Sequence, residues 1–181
     1  MNRELKIINI RKLEEDDAKD LVKWLSNPTV LEYYEGRDNV FDMAKVQKKF
    51  YSYKPQKIRC IIEYNEKKIG YLQYYQLDNE DIRQFLQYDS KDICYGVDLF
   101  IGETDYWNMG IGTQVMKKIT QYLCSERNVK YVMVDPQCRN PRAIKCYEKS
   151  GFEKIKIAEN YELHEGKLEN CCLMRYESRI Q

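Results

Sequence analysis

The chain has 181 residues, of which 43% are hydrophobic, and this is enough to bury the core of one domain. Its 30 basic and 29 acidic residues leave a net charge of +1, which gives no reason to expect nucleic acid or a membrane as a partner. No apolar stretch approaches the ~18 residues of a membrane span, and residues 1–10 lack the apolar core of a signal peptide. We therefore expect a cytoplasmic protein.

The first half of the chain predicts a strand, two helices and a hairpin. Residues 6–11 alternate as a strand does, whereas residues 16–25 begin with acidic side chains and stop at Asn27-Pro28, which is typical of a helix. Residues 42–51 predict a further helix. Two β-rich runs, 58–64 and 69–77, are separated by the polar residues 65–68 and predict a hairpin. Residues 78–92 are polar and predicted to be irregular.

The second half alternates strands and helices. Residues 93–101 predict a strand, and Gly96 inside it marks a bulge or a close approach of the backbone. Helices are predicted over 110–126, where apolar residues recur every fourth position, and over 140–150. Strands are predicted at 131–134, 152–157 and 171–176. With no repeat or linker, we expect a single domain over residues 1–181, an α+β fold in which helices flank one mostly antiparallel sheet (an α/β sandwich).

The seven cysteines form no regular framework, and the chain has one histidine, His164. The absence of a C-x-x-C motif argues against zinc, so we expect reduced thiols packed as small apolar groups and no metal site. A nucleophilic pair of Cys171 or Cys172 with His164 is an alternative, although no residue near them in sequence would activate a thiol.

Gly110-Ile111-Gly112-Thr113 follows a predicted strand and opens a predicted helix. A helix N-terminus presents free N–H groups and a positive dipole, so it suits a pyrophosphate, and glycine lets the ligand approach the backbone. The sequence is neither a P-loop nor the six-residue dinucleotide fingerprint. A glycine turn before an ordinary helix is the alternative interpretation.

The segment from Asn140 to Phe152 has the marks of a capped helix. Asn140 suits the N-cap, Pro141 the first helical position and Gly151 the stop. Ala143 and Tyr147 are four residues apart and share one face. A small residue below a tyrosine makes room for a ligand and directs the phenol at it, whereas a capped helix with one buried tyrosine would leave that gap unexplained.

Together these two segments resemble the acetyl-CoA-dependent N-acetyltransferase superfamily (GNAT). Its pyrophosphate loop, Q/R-x-x-G-x-G/A, is matched at Gly110 and Gly112, and its next motif, N-x-x-A-x-x-x-Y-x-x-x-G-F, is matched in full from Asn140 to Phe152. Trp107 stands where the family has Gln or Arg, so a side-chain contact to pyrophosphate is in doubt while the backbone cradle is kept. The resemblance implies a mixed, mostly antiparallel sheet of about six to seven strands flanked by helices, and acetyl-CoA as co-substrate.

Over nearly the whole chain the sequence is similar to the aminoglycoside 6′-N-acetyltransferases, including their single-subunit and fused-domain members. The similarity is carried by stretches such as residues 30–38, 62–65, 95–103 and 135–143, and by Glu162-Leu163-His164-Glu165-Gly166-Lys167. It implies an antibiotic-modifying enzyme that acetylates a polycationic amine and acts as a monomer.

The resemblance also implies a set of site residues. Asp98 would bind the reacting ammonium and relay its proton, Asp135 would anchor a second amine, and Tyr147 would protonate the CoA sulfur. Tyr33 and Tyr34 would stack on a sugar ring, although core packing explains either of them equally well. Acetyl-CoA would contact Phe100, Ile101, Met109, Gly110, Ile111, Gly112, Thr113, Asn140, Ala143 and Tyr147, with backbone N–H groups near Phe100 and Ile101 binding the thioester oxygen.

Residues 78–105 agree with a cationic substrate, since they hold eight acidic and two basic side chains. Such a region would steer a polycation toward the strand that carries Asp98, although a solvated acidic loop would have the same composition. Two other functions stay open at this point. The acceptor could be a polyamine or a protein or peptide amine, and a non-catalytic acyl-CoA sensor would keep the glycine loop but would need neither Asp98 nor Tyr147.

Overall fold

The computed structural model of the chain describes residues 7–179, with the backbone alone at 81 and 82. Its first elements are β1 (Ile8–Lys12), α1 (Ala18–Trp24), α2 (Pro28–Leu31), α3 (Met43–Val46), β2 (Lys57–Tyr64) and β3 (Lys67–Gln76). A 3-10 turn (Glu15–Asp17) leads into α1, and a π-helical turn (Gln47–Tyr51) extends α3. The predicted strand, helices and hairpin of this half are confirmed, while the predicted start of the first strand at Lys6 lies outside the described residues.

The later elements are α4 (Glu80–Leu86), β4 (Cys94–Ile101), a 3-10 turn (Thr104–Tyr106), α5 (Ile111–Arg127), β5 (Tyr131–Val134), α6 (Pro141–Lys149), β6 (Glu153–His164) and β7 (Lys167–Glu177). The irregular segment predicted at 78–92 is wrong where α4 forms. Its last residue, Leu86, is buried in an apolar cluster with Cys94, Met133 and Leu173, so contacts from distant segments favour a helix that local composition does not indicate.

The strands of the described chain pair in the order β1-β2-β3-β4-β5-β7-β6. β4 and β5 are parallel, whereas the pairs β1–β2, β5–β7 and β6–β7 are antiparallel. This mixed seven-stranded sheet confirms the predicted α+β fold. β6 and β7 extend well beyond their predicted ends, because each supplies the other's backbone partners along a long hairpin.

The described chain divides into two compact units. The first unit comprises residues up to Gln73 together with Leu99–Val115, and the second comprises Tyr74–Asp98 and the residues from Met116 onward. The single domain predicted from the sequence stays a prediction. No helix within residues 7–179 is long and apolar enough to cross a membrane.

Aromatic packing forms the core of the first unit. Phe100 contacts Trp24 edge-on at a centroid distance of 6.1 Å and stacks on Tyr71 at 5.7 Å. The indole N–H of Trp24 donates to Glu103 at 2.9 Å, so the buried ring keeps a partner for its one polar group. Helix α1 therefore packs against the end of β4 and the residues that follow it.

A buried ion network fixes the start of α1 in the first unit. Asp17 is fully buried and accepts hydrogen bonds from both terminal nitrogens of Arg11, at 2.7 and 2.8 Å, and from the N–H of Glu14 at 2.8 Å. Lys68 lies 2.7 Å from the other side of the carboxylate. Burial would raise the pKa of Asp17, but the hydrogen bonds from Arg11 and Lys68 outweigh it and lower the pKa to about 2.

We predict that Asp17→Asn lowers the free energy of unfolding by about 3–5 kcal/mol, because Arg11 and Lys68 would keep their charges beside a neutral amide. Since the folded pKa lies below the ordinary 3.8, the contribution of Asp17 is present above about pH 4 and lost as the pH falls through about 2. Urea unfolding at pH 7 and pH 3 measures both effects. The exposed neighbour Asp16 is the control, and equal losses in Asp16→Asn and Asp17→Asn would contradict the prediction.

Candidate active site

Strand β4 carries Asp98, and a tyrosine on β3 holds its carboxylate. The hydroxyl of Tyr75 donates to Oδ1 of Asp98 at 3.3 Å. The ring of Tyr75 lies so close to Gly96 that a Cβ there would be 2.9 Å from two ring carbons. The glycine predicted to mark a close approach therefore has that role, but the group that approaches is a side chain and not a backbone. Any larger residue at position 96 would displace the tyrosine that contacts Asp98.

The parallel ladder between β4 and β5 runs from Cys94–Tyr131 to Gly96–Met133. Asp98 lies two residues beyond that last pair on β4, and Asp135 follows the final residue of β5. The two carboxylates predicted to bind amines thus stand where both strands have left their shared ladder, in the second unit. Asp98 lies within β4, which continues to Ile101, and is half-buried, whereas Asp135 lies just outside a strand and is exposed.

Asp135 is exposed to solvent, although protein surrounds it on most sides. This enclosure raises the pKa of Asp135 to about 6, and the negative charges of Asp98 and Glu162 raise it further in the same direction. The charge of Asp98 therefore acts on Asp135, and the structure brings together the two residues that the sequence predicted as amine anchors. A cation near Asp135 would relieve this repulsion.

Helix α6 places Tyr147 near the same charges. The Asn140 side chain accepts from the N–H of Ala143 at 3.1 Å and begins the helix, as predicted. Tyr147 is 8% exposed, and its ring packs on Phe152 at 5.8 Å. Burial raises the pKa of Tyr147 well above its usual range, and the nearby thiol of Cys146 and the charges of Asp98 and Asp135 act in the same direction. The phenol is therefore uncharged and is a hydrogen-bond donor.

The predicted pyrophosphate loop lies in the first unit. Gly110 has φ +75°, which a larger residue rarely adopts, and the position its Cβ would take has no heavy atom within 4 Å. Open space beside a glycine at the start of α5 fits a phosphate-bearing ligand. Ile111 is buried, Gly112 and Thr113 are half-buried, and Met109 is half-exposed.

Trp107, which departs from the family pattern, has a structural contact of its own. Its indole N–H donates to the carbonyl of Ile101 at 2.8 Å. This bond ties the segment before the glycine loop to the end of β4. Of the two residues predicted near the thioester, Ile101 is half-buried and Phe100 is buried in the apolar core of the first unit.

Tyr33 and Tyr34 lie in the first unit, just after α2. The ring of Tyr34 lies 4.5 Å from that of Phe100, so core packing explains this residue better than sugar stacking does. Tyr33 is half-buried, and its predicted role in stacking stays a prediction.

The alternative of a cysteine–histidine nucleophile is not supported. All seven cysteines are free thiols, and Cys171 and Cys172 are buried. Burial raises the pKa of both, and for Cys171 the charges of Glu162 and Asp135 add to the effect. These thiols therefore stay protonated, whereas a nucleophile must be a thiolate. Among residues 7–179 no group of three or more acidic, cysteine or histidine side chains could hold a metal ion.

Two features of the site were not found from the sequence. Tyr75 is one of 16 tyrosines, and no spacing singles it out as the partner of Asp98. Glu162 lies in a stretch that resembles the family, but nothing in the sequence gives it a role, and its charge acts on Asp135 from β6. The acidic residues of segment 78–105 do not all have the same role. Glu103 forms an ion pair with Lys23 and accepts from the Trp24 indole, whereas Asp98 lies near Asp135.

We predict that Asp135 titrates near pH 6 in the free enzyme and that Asp98→Asn lowers this pKa, because one of the charges that disfavour ionisation is gone. Carbon-13 NMR of the aspartate carboxyl groups measures the shift. Since the folded pKa is raised, the stability that Asp135 contributes is present below about pH 4 and is lost as the pH rises through about 6. Asp78→Asn, an exposed change of equal charge, should leave the titration unchanged, and an ordinary pKa for Asp135 would contradict the prediction.

Comparison with known proteins agrees with this geometry. Residues 14–159 match the family described as the acetyltransferase (GNAT) domain. The aminoglycoside N(6′)-acetyltransferases type 1 of Klebsiella pneumoniae and Serratia marcescens are each 27% identical over 154 residues, which cover 81% of this chain and 74% of those proteins. A kanamycin resistance protein of Rhizobium radiobacter is 34% identical over 59 residues, or 33% of this chain and 55% of that protein.

Solved structures show the same fold. Aminoglycoside acetyltransferase AAC(6′)-Ib in complex with coenzyme A and kanamycin superposes with a TM-score of 0.77 at 23% identity, covering 96% of both chains. The spermidine N-acetyltransferase of Vibrio cholerae, in complex with CoA and spermine, gives 0.76 at 14% identity over 94% of this chain and 95% of that one. The resemblance stated from the two motifs is thus confirmed over most of the sequence, and the chain belongs to the GNAT acetyltransferase family.

Proposed function

We propose that this protein is an aminoglycoside 6′-N-acetyltransferase that transfers the acetyl group of acetyl-CoA to an amine of the antibiotic. The observation that carries the proposal is the pair of carboxylates just beyond the β4–β5 ladder, Asp98 and Asp135, in which the charge of Asp98 raises the pKa of Asp135 and favours a bound cation. The curated relatives named for the same reaction support it. A cytoplasmic location and a monomeric state are part of the same proposal.

The acceptor must lose a proton before it can attack the thioester. Amines of this kind have pKa values of about 8 to 10, so the free base costs about 1.4 to 4 kcal/mol to populate at neutral pH. Asp98 would bind the ammonium as a charge-assisted partner. Because its carboxylate already accepts from Tyr75, its main contribution would be to fix the amine, with water taking the proton.

Asp135 would act differently from Asp98. Its pKa of about 6 is nearer to that of the amine than the pKa of an ordinary carboxyl group, so it is a better proton acceptor than an ordinary carboxylate. An ammonium bound nearby would lower that pKa and keep Asp135 ionised. We therefore assign Asp135 as an amine anchor that can also share the departing proton.

Attack of the amine on the carbonyl breaks the C–S bond and leaves a thiolate that needs a proton. Tyr147 would donate a hydrogen bond to this sulfur. A thiol has a pKa near 8.5, and the pKa of Tyr147 is raised by its burial, so complete transfer from the phenol is uphill. We propose that the bond strengthens as charge develops on sulfur, with solvent supplying the proton afterwards.

The first unit would contribute the binding of the donor substrate. The N–H groups that open α5, with the space beside Gly110, would accept the pyrophosphate. Asn140 and Ala143 match the family motif that would contact CoA. Backbone N–H groups of Phe100 and Ile101 would stabilise the developing oxyanion.

The test is incubation of the protein with acetyl-CoA and kanamycin, followed by mass spectrometry and mapping of the acetyl position by NMR. We expect one acetyl group on the 6′ amine. Spermidine and a lysine-containing peptide run in parallel, because both carry amines that the same carboxylates could bind. Acetylation of either one with kanamycin left intact would contradict the proposed acceptor while the transferase activity stands.

We predict that Tyr147→Phe lowers kcat by about 10- to 1000-fold and leaves the KM of both substrates nearly unchanged, because the lost bond forms mainly in the transition state. The melting temperature should hold, since the ring still packs on Phe152. Tyr176 packs on the same phenylalanine at 5.8 Å, which makes Tyr176→Phe a matched control with wild-type kcat expected. Equal kcat values in both variants would reduce Tyr147 to a packing residue.

A further inference from the structure

Strand β6 contains an irregularity that alters the direction of its side chains. Ala158 pairs with Cys171 and Glu162 pairs with Glu169, so β6 takes four steps where β7 takes two. Asn160, in the middle, has φ +49°, and its N–H donates to the Asn170 side chain at 2.9 Å. Bulges of this kind redirect side chains and occur next to functional sites.

The bulge presents Glu162, whose carboxylate is held by two donors. Nε2 of Gln137 donates to Oε2 of Glu162 at 3.1 Å, and the thiol of Cys171 donates to the same oxygen at 3.7 Å. Gln137 is fixed in turn, because its backbone bridges to Cys171 and its carbonyl accepts from the N–H of Asn140 at 2.9 Å. Glu162 is thus a positioned side chain and not a solvated one.

The side-chain oxygen of Gln137 is a second feature of this region. The residue is 4% exposed, and within residues 7–179 its Oε1 is buried without a hydrogen-bond partner. Buried amide oxygens in folded proteins nearly always have a donor, and an unmet one in the free protein calls for a donor from elsewhere. The amide already uses its nitrogen on Glu162, so a donor that reaches this carboxylate also comes close to Oε1.

The negative charge around Asp135 indicates that a donor bound here is positively charged. Negative charges from two directions act on Asp135, those of Asp98 on β4 and Glu162 on β6. The charged side chains that raise its pKa are carboxylates, so a positive group that binds here meets attraction from several of them at once. An ammonium satisfies both needs, since it carries the charge and has three N–H donors.

An aromatic pair borders the same carboxylates. The rings of Phe85 on α4 and Tyr161 in the bulge stack with a centroid distance of 5.9 Å and an interplanar angle of 3°, and both are partly exposed. Burial raises the pKa of Tyr161, and the charges of Asp135 and Glu162 add to it, which places the ring beside both carboxylates. Lys156 places its ammonium 3.4 Å from the centroid of Phe85, so Tyr161 supplies the aromatic surface next to the acidic groups, and such a surface suits a ring or chain that carries amines.

We propose that Glu162 and Gln137 form a second ammonium-binding subsite beside Asp135, which takes an amino group of the polycationic acceptor other than the one that is acetylated. The subsite rests on the proposed function and specifies it further, because it makes the enzyme select acceptors with at least two amines. Glu162 would contact the second ammonium directly. Gln137 would orient Glu162 and accept one hydrogen bond through Oε1.

The experiment compares two acceptors in two variants. Kanamycin carries several amines, whereas 6-amino-6-deoxyglucose carries only the reacting one. We expect Glu162→Gln to raise the KM for kanamycin about 10- to 100-fold, as loss of a charge-assisted contact does, with kcat nearly unchanged. The kcat/KM for the aminoglucose should stay within twofold. Gln137→Leu should raise the KM for kanamycin by a smaller factor and should also leave the aminoglucose unaffected. This variant tests the subsite if Glu162→Gln does not fold.

Two controls separate a binding role from a structural one. Glu153→Gln removes an exposed charge from the regular part of β6 and should alter neither acceptor. The pH profile is the second, because removing the Glu162 charge should lower the pKa of Asp135 and shift the acidic limb of kcat/KM to lower pH. The other titratable groups that face this region are kept in both enzymes, namely Asp98, Tyr75, Tyr147, Tyr161 and Cys171.

The outcomes distinguish the subsite from the proposed function. If the wild type acetylates kanamycin and Glu162→Gln has the wild-type KM, the subsite is overturned and the function stands. If the wild type acetylates spermine and not kanamycin, and Glu162→Gln raises the KM for spermine by the same factor, the proposed acceptor is wrong and the subsite stands. Equal losses for the one-amine and many-amine acceptors, or no binding of either polycation to the wild type, overturn the subsite.

Discussion

The proposed chemistry of this protein depends on the residues just beyond the ladder between β4 and β5. Pairing stops at Gly96–Met133, and the residues just beyond it on each strand include Asp98 and Asp135. Asp98 stays within β4 and is half-buried, and Asp135 follows β5 and is exposed, so both keep some contact with solvent. The charge of Asp98 raises the pKa of Asp135, so the pair favours a positively charged neighbour.

This concentration of negative charge explains why several neutral hydrogen-bond donors surround the carboxylates. Tyr75 gives Asp98 a donor, and Gly96 leaves the space that the tyrosine ring needs. The β6 bulge adds Glu162, which has two donors of its own. In each case the protein supplies neutral donors to the carboxylates, and these hold the oxygens in place without cancelling their charge. The proposed amine site would therefore be preorganised and would keep most of its attraction for a cation.

In the first unit, hydrogen bonds and aromatic packing support the segment that leads to the glycine loop. Trp107 bonds to the carbonyl of Ile101, and Phe100 packs against Trp24 and Tyr71. The buried Asp17 network secures the start of α1 in the same unit. The departure of Trp107 from the family pattern is thus accompanied by a structural role, because the indole supports the segment before the glycine loop.

The sequence was enough to predict the family and the order of most strands and helices, because motif spacing and capping residues are local properties. Resemblance to the family then singled out Asp98, Asp135 and Tyr147 as candidate site residues. The sequence also indicated the ends of α6, where Asn140 and Gly151 act on their own neighbours in the chain. The helix α4 and the long bulged hairpin of β6 and β7 became evident only in the tertiary structure. So did the hydrogen bonds of Tyr75 to Asp98 and of Gln137 to Glu162, and the effect of Glu162 on Asp135. These depend on contacts between residues far apart in sequence, such as Gln137 with Glu162, and no local pattern encodes which partner a side chain will meet.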